Sequence, residues 1–176
     1  MRNGKMAAVL GVAGILALPM LSRAQSAEDA RPLASCGSPQ VLFSVRHDPT
    51  SPPVAAPPGM ALVVVVEKDF GILLPPTARV AADGKWQAAM HGESWISFAV
   101  DPGVHHLCTM TQPGNDVETA LAHFTAVAGG VYFFEQRALA GTRGGVWTER
   151  TLRPLDSDEG AMLTLALPHS MARQKK

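Results

Sequence analysis

Residues 61–67 read Ala-Leu-Val-Val-Val-Val-Glu. Few environments suit such a run. Valine is stiff at χ1 and crowds a helix, so four in succession favour a strand. Successive side chains of a strand point to opposite faces. A strand apolar at both parities must therefore be covered on both sides, and the chain has to build more than one layer around it.

The rest of the sequence offers further extended segments, separated by turn signals about every ten residues. Segments 77–82 and 85–90 flank Asp83-Gly84, a pair that suits the positive φ angles of a tight hairpin. Segment 94–100 alternates Ser94, Ile96, Phe98 and Val100 against Trp95, Ser97 and Ala99, and Asp101-Pro102-Gly103 turns it into 104–111. Segment 117–128 puts Ala120, Ala122, Phe124 and Ala126 on one face; Gly129-Gly130 separates it from the aromatic run 131–138. Segment 146–154 closes the series, and the alternation in 41–46 suits a short edge strand. Asp156 or Ser157 is expected to cap a short helix, with Asp158 and Glu159 at the positive end of its dipole and Pro168 ending it. The expectation is an all-β fold: a single sandwich of about seven or eight mostly antiparallel strands with a short C-terminal helix. It would span 60–168. Residues 25–59 are read as an N-terminal arm and linker, whose five prolines between Asp48 and Gly59 make a stiff spacer, and 169–176 as a C-terminal tail.

The first 24 residues read as a signal peptide: Arg2 and Lys5, an uncharged apolar run over 7–21, then Ser22 and Ala24 at the −3 and −1 positions. The run is shorter than the roughly 20 residues of a membrane span, so no span is expected after cleavage. Of 15 basic and 15 acidic residues, removal of Arg2, Lys5 and Arg23 leaves 12 against 15, a net charge of −3. No basic stripe suited to phosphate contacts remains, which argues against a nucleic-acid partner. A periplasmic or secreted location follows, and there two cysteines are expected to pair. The competing reading takes Leu33-Ala34-Ser35-Cys36 as a lipobox with Cys36 as the anchor. Cys36 lies 15 positions beyond Leu21, with Arg23, Glu28, Asp29 and Arg31 between. Bringing these charges to the membrane costs roughly 2.5–3.5 kcal/mol for each Arg or Asp at a helix centre. A Cys36–Cys108 disulfide is thus the expectation, and lipidation the alternative.

The stretches VAADGKW, HGESWISFAVDPGVHHLCTM, LAHFTAVAGGVYFFEQR and LDSDEGAML together resemble DUF2846, a family of exported bacterial domains of unknown function. The resemblance covers about Met60 to Leu167. Its Pro-Gly-x-His centre also looks like PEGA-type domains, which are small β-sandwiches of bacterial surface proteins. SCGSPQVLFSV with HHLC is similar to a subgroup in Acidobacteria-like soil bacteria, where an N-terminal Cys-Gly accompanies a cysteine on the His-His-Leu-Cys strand. The resemblance implies an envelope β-sandwich and supplies no catalytic residues.

Candidate sites follow from the residues themselves. Trp95 lies opposite the Ile96/Phe98 face and, with His105 and His106, is a possible binding surface for an envelope protein or polysaccharide; burial under the helix or the arm is the other reading of Trp95. Trp86 and Trp147 raise the same question. His105 suits a backbone hydrogen bond that anchors the Pro-Gly turn. His106, Cys108 and Met110 share one face of a strand and are soft or borderline ligands, so a copper site built from His106, Met110 and His123 is an alternative function. Successive same-face residues start nearly 7 Å apart, however, which works against convergence on one ion. No metal or other cofactor is expected. Asp156, Asp158, Glu159 and Gly160 lack the twelve-residue ligand series of a calcium loop. No Gly-x-Ser-x-Gly surrounds Ser94, and Glu67, Asp69 and Glu93 show no pairing legible in sequence. The expected role is a non-catalytic structural or interaction module of the cell envelope, with an unrecognised envelope hydrolase as a further alternative.

Overall fold

The computed structural model describes residues 36–38, 40–69, 75–112, 119–140 and 148–176. Among them are ten strands: β1 (Phe43–Asp48), β2 (Ala61–Asp69), β3 (Thr77–Ala82), β4 (Lys85–His91), β5 (Ser94–Val100), β6 (Gly103–Gln112), β7 (Thr119–Ala126), β8 (Val131–Ala140), β9 (Thr148–Leu155) and β10 (His169–Gln174). One helix, α1 (Ser157–Ala166), precedes β10. A six-stranded sheet of order β1-β10-β5-β2-β8-β9 stacks on a four-stranded sheet of order β4-β3-β6-β7. The fold is all-β and sandwich-like.

The valine run is β2, in the middle of the larger sheet. Val63 and Val65 join the core between the sheets, while Leu62, Val64 and Val66 join a second cluster on the outer face with Trp95, Phe133 and Leu163. Ala61 and Val63 to Val66 have no exposed surface. On one side β2 runs antiparallel to β5; on the other it runs parallel to β8 over eight register pairs, from Leu62↔Val131 to Asp69↔Ala138. The chain between those two strands builds the whole smaller sheet, and this is the crossover that a parallel pair requires. In the β3–β4 hairpin, Asp83 and Gly84 take φ of 50° and 78°, the left-handed pair its two-residue turn needs.

Two boundaries differ from the sequence reading. The segment taken as a tail contains β10, which pairs with β1 over six residues and meets β5 at His169↔Trp95. The described part of the arm is also built in. β1 is the edge of the larger sheet, and Val54 and Ala56 of the proline-rich segment pack against the outer cluster. Proline suits this position because it holds an extended backbone and brings no N–H that would be left without a partner against an apolar face. The signal-peptide residues, Leu33 to Ser35 and Trp147 lie outside the described residues.

Helix α1 shares that outer face. Asp156 is its N-cap and accepts hydrogen bonds from the backbone N–H of Asp158 and Glu159. Gly160 sits directly on Phe133; a Cβ there would overlap the phenyl ring. Among the described residues no helix is long and apolar enough to cross a membrane.

Candidate functional site

Trp95, His105 and His106 do not share a surface. Trp95 is on the outer face of the larger sheet and fully buried; its Nε1 donates to the Leu167 carbonyl (3.1 Å) and its ring lies 4.5 Å from that of His169. The expectation of Trp95 as an exposed contact residue is therefore corrected. Helix α1 and the proline-rich arm occupy that face, as its alternative reading had it. On β6, side chains alternate. Leu107 belongs to the core, so His105 leans inward against Phe124 (ring centroids 5.6 Å), whereas His106 points out of the smaller sheet.

His105 is the centre of a polar clamp. Its Nδ1 bonds Asp83 Oδ2 (2.6 Å) and its Nε2 bonds the Asp101 carbonyl (2.6 Å). Asp83 Oδ1 accepts from the His106 N–H (2.9 Å), and the Asp83 N–H donates to the His106 carbonyl (2.9 Å). The imidazole thus ties the β3–β4 turn to the Asp101–Gly103 turn. Burial works to lower the His105 pKa, but the hydrogen bonds its ring donates to the Asp83 carboxylate and the Asp101 carbonyl and the charges of both carboxylates outweigh it, so the net shift is upward. Burial likewise works to raise the pKa of Asp83, and the His106 N–H and the His105 ring overcome it, for a net shift downward. With both ring nitrogens facing acceptors, His105 is built to hold a proton rather than to take one from a substrate.

The outer face of the smaller sheet carries the N-terminal arm. Cys36 and Cys108 form a disulfide with Cα atoms 5.2 Å apart. Trp86 Nε1 donates to the Ser38 carbonyl (2.7 Å), and Gly37 lies so close to that indole that a side chain would collide with it. Arg79, fully buried, donates to the Val41 carbonyl (2.6 Å), the Thr111 carbonyl (3.2 Å) and Met110 Sδ (3.2 Å), with its guanidinium 4.5 Å from the Trp86 ring centroid. Gln112 exchanges two hydrogen bonds with the Phe43 backbone. The residues of the copper alternative divide here. His106 and His123 are directly opposed across β6 and β7, with ring centroids 6.3 Å apart. Met110 is buried one pair of positions beyond Cys108 and engaged by Arg79. Among the described residues no group of three His, Cys, Asp or Glu side chains is placed to hold a metal.

Two buried charge clusters were not legible in the sequence. Between the sheets, Gln136 Nε2 donates to Glu67 Oε1 (2.8 Å), Arg150 lies 3.8 Å from the same oxygen, and Arg150 Nε donates to Thr111 Oγ1 (2.9 Å). On the outer face, Glu135 Oε2 accepts from Nε of both Arg137 and Arg153 at 2.6 Å, and Arg153 reaches Glu159 Oε1 at 3.7 Å, joining β8 and β9 to α1. Glu67 and Glu135 are both fully buried. The one advance signal was the position of Glu67, sixth after Ala61 and on the same parity as the core valines Val63 and Val65.

No family model and no curated protein matches the chain. Among solved structures, an NMR structure of a protein from Eubacterium rectale is similar at 15% identity, covering 57% of this chain and 92% of that one with a TM-score of 0.36.

Proposed function

We propose that the chain is an exported, non-catalytic β-sandwich of the DUF2846 type, serving as a structural or interaction module of the bacterial envelope. The observation that carries this reading is the Cys36–Cys108 bridge, which fastens the N-terminal arm across the smaller sheet and belongs to an oxidising compartment. Several groups from which acid–base or nucleophilic chemistry is commonly assembled are engaged in structure: both sulfurs in the bridge, both His105 nitrogens in the clamp, Glu67 and Arg150 between the sheets. Bridge and lipid anchor exclude each other because they use the same sulfur. Expression with its own N terminus in a host with a periplasm, followed by intact mass measurement without reductant, is expected to give a chain beginning at Gln25 with no alkylatable thiol. A diacylglyceryl adduct on Cys36, or two free thiols, overturns the reading. Hydrolysis of ester or glycoside substrates that is lost on His106→Ala or His123→Ala overturns its non-catalytic part.

One observation favours a second reading, metal binding: the opposed His106 and His123 rings. Two imidazoles suit a borderline ion such as Cu(II) or Zn(II), with water completing the shell. Calorimetric titration is expected to show binding that either alanine variant abolishes. Binding that survives in the double variant removes this reading.

A further inference from the structure

The outer face of the larger sheet has two unusual properties together. The segments that cover it are free of charge beyond the first turn of α1, which holds Asp158 and Glu159: residues 49–60 and 160–168 contain no Asp, Glu, Lys, Arg or His. Helix α1 buries Gly160, Leu163 and Thr164 and turns Ala161, Met162, Leu165 and Ala166 outward; Met162 is 59% exposed and Leu165 89%. An outward helix face normally carries the polar residues; beyond its first turn this helix is apolar on the outward face as well as the inward one.

At the sheet edge, across β5 from the strands that α1 covers, lies a basic ribbon. The His169 ring packs at a tilt against Trp95, which fixes the parity of β10: His169, Met171 and Arg173 are on the outer-face side of the strand. Arg46 is opposite Met171 and therefore on the same side. Arg46 and Arg173, both exposed, border a surface hollow of about 380 Å³ with Ser44, Val45, Met171 and Ala172. Lys175 and Lys176 follow, and the Lys175 N–H, bonded to the Leu42 carbonyl (2.8 Å), holds the chain end beside β1. Of the acids on this face, Asp48 bonds Thr50, Asp156 caps the helix, Glu135 and Glu159 are near Arg153, and Asp158 is exposed in the first turn of α1.

We infer that this face docks on an anionic phospholipid bilayer, with Met162 and Leu165 entering the headgroup–acyl boundary and Arg46 and Arg173 meeting lipid phosphates. An uncharged layer with an apolar ridge and flanking cations is the complement of such an interface. The helix stands one layer above the sheet, about 10 Å by ordinary packing, so the ridge reaches deeper than the arginine heads. A second copy fits less well. Two large side chains and two alanines fall short of the roughly 800 Å² per partner that a stable dimer buries.

The inference rests on the envelope reading only for access to a membrane, and the two fail separately, since the mature N terminus is measured on the same sample. The test uses the exported protein, its leader removal confirmed by mass, in flotation with vesicles of phosphatidylcholine alone or with 30% phosphatidylglycerol. Binding to the anionic vesicles is expected, weakened at least tenfold by Met162→Glu with Leu165→Glu and, separately, by Arg46→Glu with Arg173→Glu, and reduced by salt. Circular dichroism of each variant checks the fold, and Leu165→Gln serves if the paired ridge change does not fold. No binding, equal binding to neutral vesicles, or variants that bind like the parent overturn it. So does a dimer in light scattering that the ridge variant dissociates, which would make the occupant a second copy.

Discussion

His105 holds its proton because each ring nitrogen faces an acceptor, and this sets a pH window. Its pKa is raised, so its contribution is complete below the ordinary value of about 6.5 and fades as pH rises through the higher folded value. The Asp83 pKa is lowered, so its contribution is complete above about 3.9 and fades as pH falls through the lower folded value. The clamp is at full strength between roughly pH 4 and 6.5. His169 acts in the opposite sense: burial, only partly offset by Asp48, lowers its pKa, so the fold gains as pH rises through about 6.5. Urea unfolding of the parent minus that of His105→Gln isolates the clamp. The difference is expected to be largest near pH 5–6, about 1–3 kcal/mol for charge-assisted bonds, and to shrink above pH 8. A flat difference would mean that His105 folds neutral. The disulfide acts through the unfolded chain instead. Its partners are 72 positions apart, so Cys36→Ser with Cys108→Ser is expected to cost about 4 kcal/mol in the chain-entropy model. Release of the arm from Trp86 should also shift the fluorescence to longer wavelength.

Among the elements, α1 shows how one small residue sets a docking distance. Gly160 lets the helix sit on Phe133, so Gly160→Ala has opposing effects: better helix propensity by about 1 kcal/mol, and overpacking that costs about 1–3 kcal/mol. Because the contact is with the ring root, including Phe133 Cβ, the clash is expected to win and thermal unfolding to fall. A rise in Tm would show that helix and sheet slide apart freely. The same element marks what sequence can disclose. Its cap, its acidic first turn and Pro168 were legible because they act within a few residues, as was the Asp83-Gly84 hairpin. β10 was not. His-Ser-Met-Ala-Arg-Gln carries no apolar alternation, and it is a strand because β1, some 125 residues earlier, supplies a partner edge. Trp95 stayed open between exposure and burial for a related reason: its cover comes from Leu167 and the 49–60 arm. Arg79, Glu67 and Glu135 defeat the rule that charge marks surface, since each has a partner brought in from a distant part of the chain or a neighbouring strand.

At the scale of the molecule, the sandwich is stapled from several directions, and two interventions separate the staples. Glu67→Leu leaves Arg150 buried without its carboxylate and is expected to cost about 3–5 kcal/mol, whereas Glu67→Leu with Arg150→Met should recover most of that loss. Equal losses in the single and double variants would place the strength of the site in packing rather than charge. Truncation addresses the larger design. Ending the chain at Pro168 removes β10, which gives β1 its register and covers the edge of β5 beside Trp95. The remaining β1 would keep its contacts to β4 and the hydrogen bonds of Phe43 to Gln112, and the Trp95 ring would lose His169. A free tail would be removed at no cost. A strand at this position should instead cost at least about 3 kcal/mol, a fall in Tm on the order of 10 °C for a domain of this size. Ending the chain at Gln174 retains all six β1 pairs and is expected to leave Tm within a degree or two of the parent. If both truncations melt together, the β1–β10 ribbon contributes nothing to the cooperative unit and the sandwich is complete without it.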